Sequence, residues 1–243
     1  MTNGNETLQT EANKATQGSQ RPQSQRDWVW PALLAALGLI SGLLLMMRFP
    51  PVVGLGSLVR LPVFHGALTW ASFILFFLLG VVGLWAFFSQ KESLYTWSKS
   101  LRYSVIALWI LNFAMGIFAA TLTWDFSGTT EPAITWMAQE PRIRLQFAVS
   151  MIGIAILILP LIFEKWRIRA LFDGVYGFLT LIMVYIALNF GQSLHPSNPA
   201  MSSEESIIRH TFLLMCVALS VMCSGIVILV KTLISRKASK SAT

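Results

Sequence analysis

The chain has 243 residues, of which 55% are hydrophobic and only 12% are charged, and its formal net charge is +7. Soluble domains carry about 25% charged residues, so this composition excludes a disordered chain, a disulfide-stapled chain and an ordinary soluble domain. The apolar residues run continuously instead of alternating, which is typical of membrane-spanning helices. We therefore predict an all-α polytopic membrane protein that lies in the lipid bilayer and does not bind nucleic acid.

Residues 1–27 are polar and rich in Gln, Asn, Ser and Thr, and this composition predicts a flexible tail. Six apolar segments follow, and each is long enough to cross about 30 Å of hydrocarbon as a helix. The segments cover residues 28–47, 64–88, 100–124, 145–163, 170–190 and 210–234. Residues 235–243 form a short basic tail.

The basic residues of the connecting segments predict the orientation of the chain. An even number of spans puts both termini on one side, and 13 of the 18 basic residues lie on that side. Because cytoplasmic loops carry the excess of Lys and Arg, we predict that both termini are cytoplasmic and that the protein lies in the inner (cytoplasmic) membrane. The external loops are longer than the internal ones, which favours the external face as the functional surface.

All three histidines, His65, His195 and His210, fall on the predicted external side. Histidine is the commonest protein ligand of haem iron, but an interfacial histidine also serves as a simple hydrogen-bonding residue, so both interpretations stay open. His65 is followed by Thr69 and Ser72 at the spacing of one helix face. This polar stripe indicates either a ligand-bearing face or ordinary helix packing.

Two other patterns favour packing over chemistry. Cys216 and Cys223 are seven positions apart in one apolar segment, about 10 Å along a helix, which is too far for a disulfide. Close helix approach within the bundle is indicated by Gly80, Gly83, Gly174 and Gly177. The chain carries no phosphate loop and no protease or hydrolase signature, so we predict that it is not an enzyme.

The second external loop, residues 125–144, combines tryptophan with charged residues. It contains Trp136, and Arg142 and Arg144 stand beside Glu140. Such a loop is typical of an interfacial anchor. The alternative, which composition alone favours less, is a platform that holds a flat ligand with carboxylates, because rings contact the plane and guanidinium groups pair with the acids.

Three stretches in this order resemble motifs of one family. FHGALTWASF at 64–73 resembles the HVPxAW stretch that opens the second helix of haem-handling cytochrome c biogenesis proteins. TWMAQEPRIR at 135–144 resembles their tryptophan-rich WWD signature, and SLHPSNPAM at 193–201 resembles their LHP-containing loop. Over residues 30–234 the chain is similar to the haem exporter protein C type of cytochrome c assembly protein, which has six helices.

The resemblance implies that the protein binds haem b without a covalent link and presents it at the outer membrane face during cytochrome c maturation. It implies His65 and His195 as the axial ligands of the haem iron. The implied haem-binding loop residues are Trp136, Met137, Glu140 and Arg142. The implied partners are a haem chaperone and subunits of the ATP-binding-cassette transporter type.

The tryptophan-rich loop departs from the family signature at three positions. Met137 and Gln139 replace two tryptophans, and Glu140 replaces the aspartate. Two alternatives therefore stay open: a haem b electron-transfer subunit, and an accessory or scaffold subunit that kept the fold and changed or lost the haem role. The chain has no CxxCH motif, so covalent attachment of a c-type haem is not predicted.

Overall fold

The computed structural model describes residues 27–125, 127, 130, 132–190, 200, 201 and 203–241. Within these residues the chain forms seven α-helices and no strand, which confirms the all-α prediction. The helices are α1 Val29–Arg48, α2 Arg60–Ser89, α3 Glu92–Thr123, α4 Ala133–Met137, α5 Pro141–Ile162, α6 Trp166–Phe190 and α7 Ser206–Ser241. A short 3-10 helix, Ser57–Val59, leads into α2.

Six of the described helices are long and apolar enough to cross a membrane, which confirms a multi-pass membrane protein. Several extend beyond the apolar segments from which they were predicted: α3 begins at Glu92, and α7 continues to Ser241 through most of the basic tail. The physical reason is that a helix satisfies its own backbone hydrogen bonds, so it continues past the hydrocarbon where the residues are good helix formers.

The helices pack around α2 and α3. Three helices contact α2, namely α3, α6 and α7. On one side of this group, α1 packs on α7. On the other side, α5 packs on α3 and α6. With six spans, the start of α1 and the end of α7 lie at the same end of the bundle. We call this the inner end and the opposite end the outer end.

Glycines bring two helix pairs into backbone contact, as their spacing predicts. A Cβ atom on Gly83 would lie 2.5 Å from the backbone nitrogen of Gly174, and one on Gly177 would overlap the backbone at Gly80. α2 and α6 therefore approach too closely for any side chain at these positions. On α1, Gly38 makes the same kind of contact with the backbone of α7.

Three buried rings form a layer across the middle of the bundle. Phe76 of α2 makes edge-to-face contacts with Trp109 of α3 and Tyr176 of α6, at centroid distances of 5.3 and 5.5 Å. Trp109 and Tyr176 also donate hydrogen bonds to α5, to the carbonyl oxygens of Gln146 (3.2 Å) and Val149 (3.0 Å). These bonds satisfy the polar atoms of the layer, which we call the aromatic layer, and attach α5 to the rest of the bundle.

Candidate functional site

His65 lies in the second turn of α2, close to the outer end, and its half-buried imidazole faces α3. Its Nδ1 is 3.0 Å from the carbonyl oxygen of Asn112. A carbonyl oxygen only accepts, so Nδ1 carries the proton and the lone pair of the neutral ring is on Nε2. The backbone of α3 thus selects the tautomer in which Nε2 is the atom able to bind a metal.

Gly116 makes room for this imidazole. A Cβ atom at position 116 would lie 2.6 Å from Cε1 of His65, well inside van der Waals contact. The ring therefore lies directly against the backbone of α3, one helical turn beyond the carbonyl that accepts from Nδ1. Hydrogen bond and close contact together restrict the position of the ring.

The predicted polar stripe on α2 takes part in the same cluster. The Thr69 hydroxyl donates to the His65 carbonyl oxygen at 2.9 Å and accepts from Nδ2 of Asn112 at 2.8 Å. Ser72, the third member of the stripe, donates to the Leu68 carbonyl within its own helix. His65 and Thr69 thus link α2 to α3. The hydrogen bond of Ser72 lies within α2, which agrees with the helix-packing interpretation.

Sequence reasoning missed Asn112 and Gly116, although Asn112 was detectable as a polar residue in an otherwise apolar segment. Asn112 is fully buried, and its side-chain oxygen Oδ1 has no hydrogen-bond partner in the described part of the chain. An amide buried in a membrane-spanning helix is costly unless it contacts polar groups. We therefore assign Asn112 to the cluster around His65.

The tryptophan-bearing loop folds into a short helix, α4, that packs against α3 near the outer end. Met137 and Glu140 are buried with 2% and 1% exposure, whereas Trp136 is half-buried. Of the loop residues that the resemblance implies as a platform, Trp136 presents more of its surface than Met137 or Glu140.

The charged residues of this loop differ in their hydrogen bonding. Arg144 donates from Nε to the Ala138 carbonyl at 2.7 Å, and the half-buried Arg142 has an Nε without a hydrogen-bond partner among the described residues. At the start of the loop, the side chain and the backbone N–H of Ser127 hydrogen-bond to Asp125, which lowers the pKa of that carboxyl group.

Of the other two histidines, only His210 lies in the part of the chain that the structure describes. His195 lies outside the described residues, so its predicted place opposite His65 stays a prediction. His210 is exposed in the first turns of α7. The described residues contain no group of three or more His, Cys, Asp or Glu side chains placed to hold a metal ion together. Cys216 and Cys223 are free thiols, as their spacing predicts.

A second polar centre lies in the inner half of the bundle, and sequence reasoning did not find it. Arg102 of α3 and Asp173 of α6 form a salt bridge of 3.1 Å between side chains with 0% exposure. The Ser98 hydroxyl donates to the second carboxylate oxygen at 2.7 Å. Nε and Nη2 of Arg102 are buried without a hydrogen-bond partner among the described residues. Both oxygens of the carboxylate therefore accept a hydrogen bond, whereas two nitrogens of the guanidinium group have no acceptor among the described residues.

Comparisons with known proteins add no relative: no family model, no curated protein and no solved structure matches this chain. The resemblance to haem-handling cytochrome c biogenesis proteins therefore stays a prediction from three short motifs. The functional argument depends on the geometry of the site.

Proposed function

We propose that this membrane protein holds haem b at its outer end, with His65 as one axial ligand of the iron. The supporting observation is the 3.0 Å contact between His65 Nδ1 and the Asn112 carbonyl. Histidines that bind metals almost always donate their other ring N–H to a carbonyl or carboxylate, which fixes the ring and raises its basicity. His65 has this arrangement at the outer end of the bundle, and the loop that carries Trp136 lies near the same end.

The residues around His65 fit one side of a haem. The imidazole supplies a nitrogen ligand, the contact with Gly116 restricts the position of the ring, and Trp136 offers an aromatic surface in a loop near the same end of the bundle. The second axial ligand that we propose is His195. Bound haem would supply the iron that the two histidines ligate, and no covalent link to this chain is proposed.

The rest of the proposal follows from the motif resemblance and the charge distribution. The protein would act in cytochrome c maturation as a carrier, not an enzyme, and would transfer haem to a chaperone or an apocytochrome. Its termini would be cytoplasmic and the haem would lie at the outer face of the inner membrane. The partners would be transporter-type membrane subunits and the haem chaperone.

A haem titration of the purified protein in detergent tests the ligand assignment. We expect the wild-type chain to give the Soret and α/β bands of a six-coordinate low-spin haem. His65→Ala and His195→Ala should each lose that spectrum, with affinity falling roughly tenfold to a hundredfold because an axial bond is lost. His210→Ala is the matched control, since this exposed histidine is at the same end of the bundle. Equal spectra in all four proteins would reject the assignment.

A second candidate function is an accessory subunit without haem. The burial of Met137 and Glu140 favours it, because these two positions of the loop then offer little surface to a macrocycle. Wild-type protein that takes up no haem in the same titration, yet copurifies stoichiometrically with other membrane subunits, would support this candidate over the first.

A further inference from the structure

At the inner end of the bundle, two arginines lie on aromatic rings where α2 ends and α3 and α6 begin. The Cζ atom of Arg167 is 5.6 Å from the centre of the Phe87 ring, and that of Arg169 is 5.4 Å from the centre of the Tyr95 ring. The Tyr95 ring also packs against Trp166, with centroids 5.5 Å apart. Rings from α2 and α3 thus hold two guanidinium groups of α6, and we call these five residues the arginine rim.

The arginine rim stands on a rigid base. Ala86, Tyr95 and Ala170 are buried there in a small apolar cluster that is separate from the main core, and Trp166 packs against it. Three helices therefore fix the rings on which the guanidinium groups lie. An arginine stacked in this way has lost much of its rotamer freedom before any ligand binds.

The two positive charges of the rim have no carboxylate partner among the described residues. Arg169 donates from Nη2 to the Glu164 carbonyl oxygen at 2.9 Å, and neither arginine forms a salt bridge in that part of the chain. The nearby buried acid, Asp173, is already paired with Arg102. Both side chains are half-buried, and the Nε of each is buried without a hydrogen-bond partner among the described residues, so the rim holds two cations that no protein carboxylate neutralises there.

Exposed aromatic side chains indicate what those surroundings are. Trp85 and Phe88, in the last turns of α2, are exposed next to the rim, and Trp166 is half-buried in it. Tryptophan is enriched at the level of lipid headgroups, and exposed apolar rings beside it contact acyl chains. At this depth the abundant anion is the phosphate of a lipid.

We propose that Arg167 and Arg169 bind the phosphate of an anionic phospholipid in the leaflet at the inner end. The N–H donors of a guanidinium group form a planar fork, which suits bidentate contact with phosphate oxygens. Lys91 and Lys165, at the same end, are exposed point charges and provide the comparison. The proposal does not depend on haem binding.

Lipid binding to the full chain tests this proposal directly. The protein is purified in neutral detergent, mixed with phosphatidylglycerol or phosphatidylcholine, and the bound lipid is counted by native mass spectrometry. We expect the double variant Arg167→Gln, Arg169→Gln to bind phosphatidylglycerol roughly tenfold to thirtyfold more weakly. The control is the double variant Lys91→Gln, Lys165→Gln, which removes the same charge and should change binding less than threefold (about half a decade).

Three results would overturn the proposal. Equal weakening in both double variants would show general charge attraction without a site. Retention of inorganic phosphate alone, without phosphatidylglycerol, would reject a lipid as the ligand. A third double variant, Arg167→Lys with Arg169→Lys, keeps the charge and should recover only part of the affinity. Full recovery would show that the planar guanidinium groups are not needed for binding. If the glutamine variant does not fold, the lysine variant is the one that tests the proposal.

Discussion

Among single residues, His65 has its imidazole oriented by the main chain of a neighbouring helix. The Asn112 carbonyl accepts from Nδ1, and the missing side chain of Gly116 leaves room for the ring. A substitution at Gly116 keeps the histidine but moves its ring, so it tests whether the position of the ring matters for haem binding. A purely structural histidine and a haem ligand respond differently to such a change.

Gly116→Ala should weaken haem binding under the proposed function. The new methyl group would meet the His65 ring at 2.6 Å and displace it from the Asn112 carbonyl, so we expect affinity to fall about tenfold or more, as when an outer-shell partner is lost. The Soret titration measures this effect. Gly66→Ala is the matched control, because the nearest atom to a Cβ there is 3.7 Å away, at ordinary contact distance. Equal haem affinity in both variants would contradict the assigned position of the ring.

The buried pair of Arg102 and Asp173 leads to a prediction about stability. Asp173→Asn keeps the shape of the side chain but leaves a buried guanidinium charge without its counter-ion, which typically costs about 3–5 kcal/mol. SDS-induced unfolding in mixed micelles measures the loss. The exposed acid Glu92 gives the control, since Glu92→Gln should change the free energy of unfolding by less than about 0.5 kcal/mol.

A second variant shows whether charge compensation is the cause. Replacing both partners, Arg102→Met with Asp173→Met, removes the two charges together, and such apolar replacements are often neutral or stabilising. We expect this double variant to be more stable than Asp173→Asn alone. A double variant as unstable as the single one would mean that shape, not charge, holds α3 and α6 together here.

At the scale of helices, the tightest contacts are those between backbones. α2 and α6 meet at Gly83 and Gly174, where neither helix can yield by turning a side chain. Packing of this kind replaces the hydrophobic effect, which offers no driving force between helices already surrounded by lipid. The glycine pairs were predictable from sequence as contacts within the bundle, and the structure confirms them.

Gly83→Ala and Gly177→Ala should each lower the melting temperature of the detergent-solubilised protein. Each methyl group meets the backbone of the facing helix, and overpacking of this kind costs about 1–3 kcal/mol. The gain in helix propensity from glycine to alanine, about 1 kcal/mol, opposes that cost. Gly66→Ala receives the same gain without the close contact, so it should be neutral or stabilising. If all three variants melted alike, the helices would have room to separate.

The helices themselves were largely predictable because hydrophobic runs of membrane length leave few other structures possible. Their ends were not, since hydropathy marks where the hydrocarbon stops and not where the helix stops. At the start of α3, Glu92 and Lys99 are polar residues that hydropathy assigns to a loop, yet they lie in the helix. The same reason explains why α7 includes most of the basic tail.

For the whole molecule, the location of His65 at the end of the bundle opposite the termini followed from the order of the six predicted spans, but its neighbours did not. Asn112 and Gly116 come from a different helix, and a single sequence does not tell which face of α3 meets α2. The salt bridge was missed for a related reason: Arg102 and Asp173 lie near the starts of two different predicted segments, 100–124 and 170–190. Only the packing of α3 beside α6 makes the two charges a pair.

The aromatic layer of Phe76, Trp109 and Tyr176 also bears on how a ligand reaches the site. In the described residues, the polar cluster at His65 and the one at Arg102 lie on opposite sides of these packed rings, about 15 Å apart along α3. A flat macrocycle cannot pass between rings that are packed at these distances. Under the proposed function, haem reaches His65 sideways, from the outer leaflet or from an adjoining subunit. The chain would then bind haem at one end only, and another protein would carry the haem across the membrane.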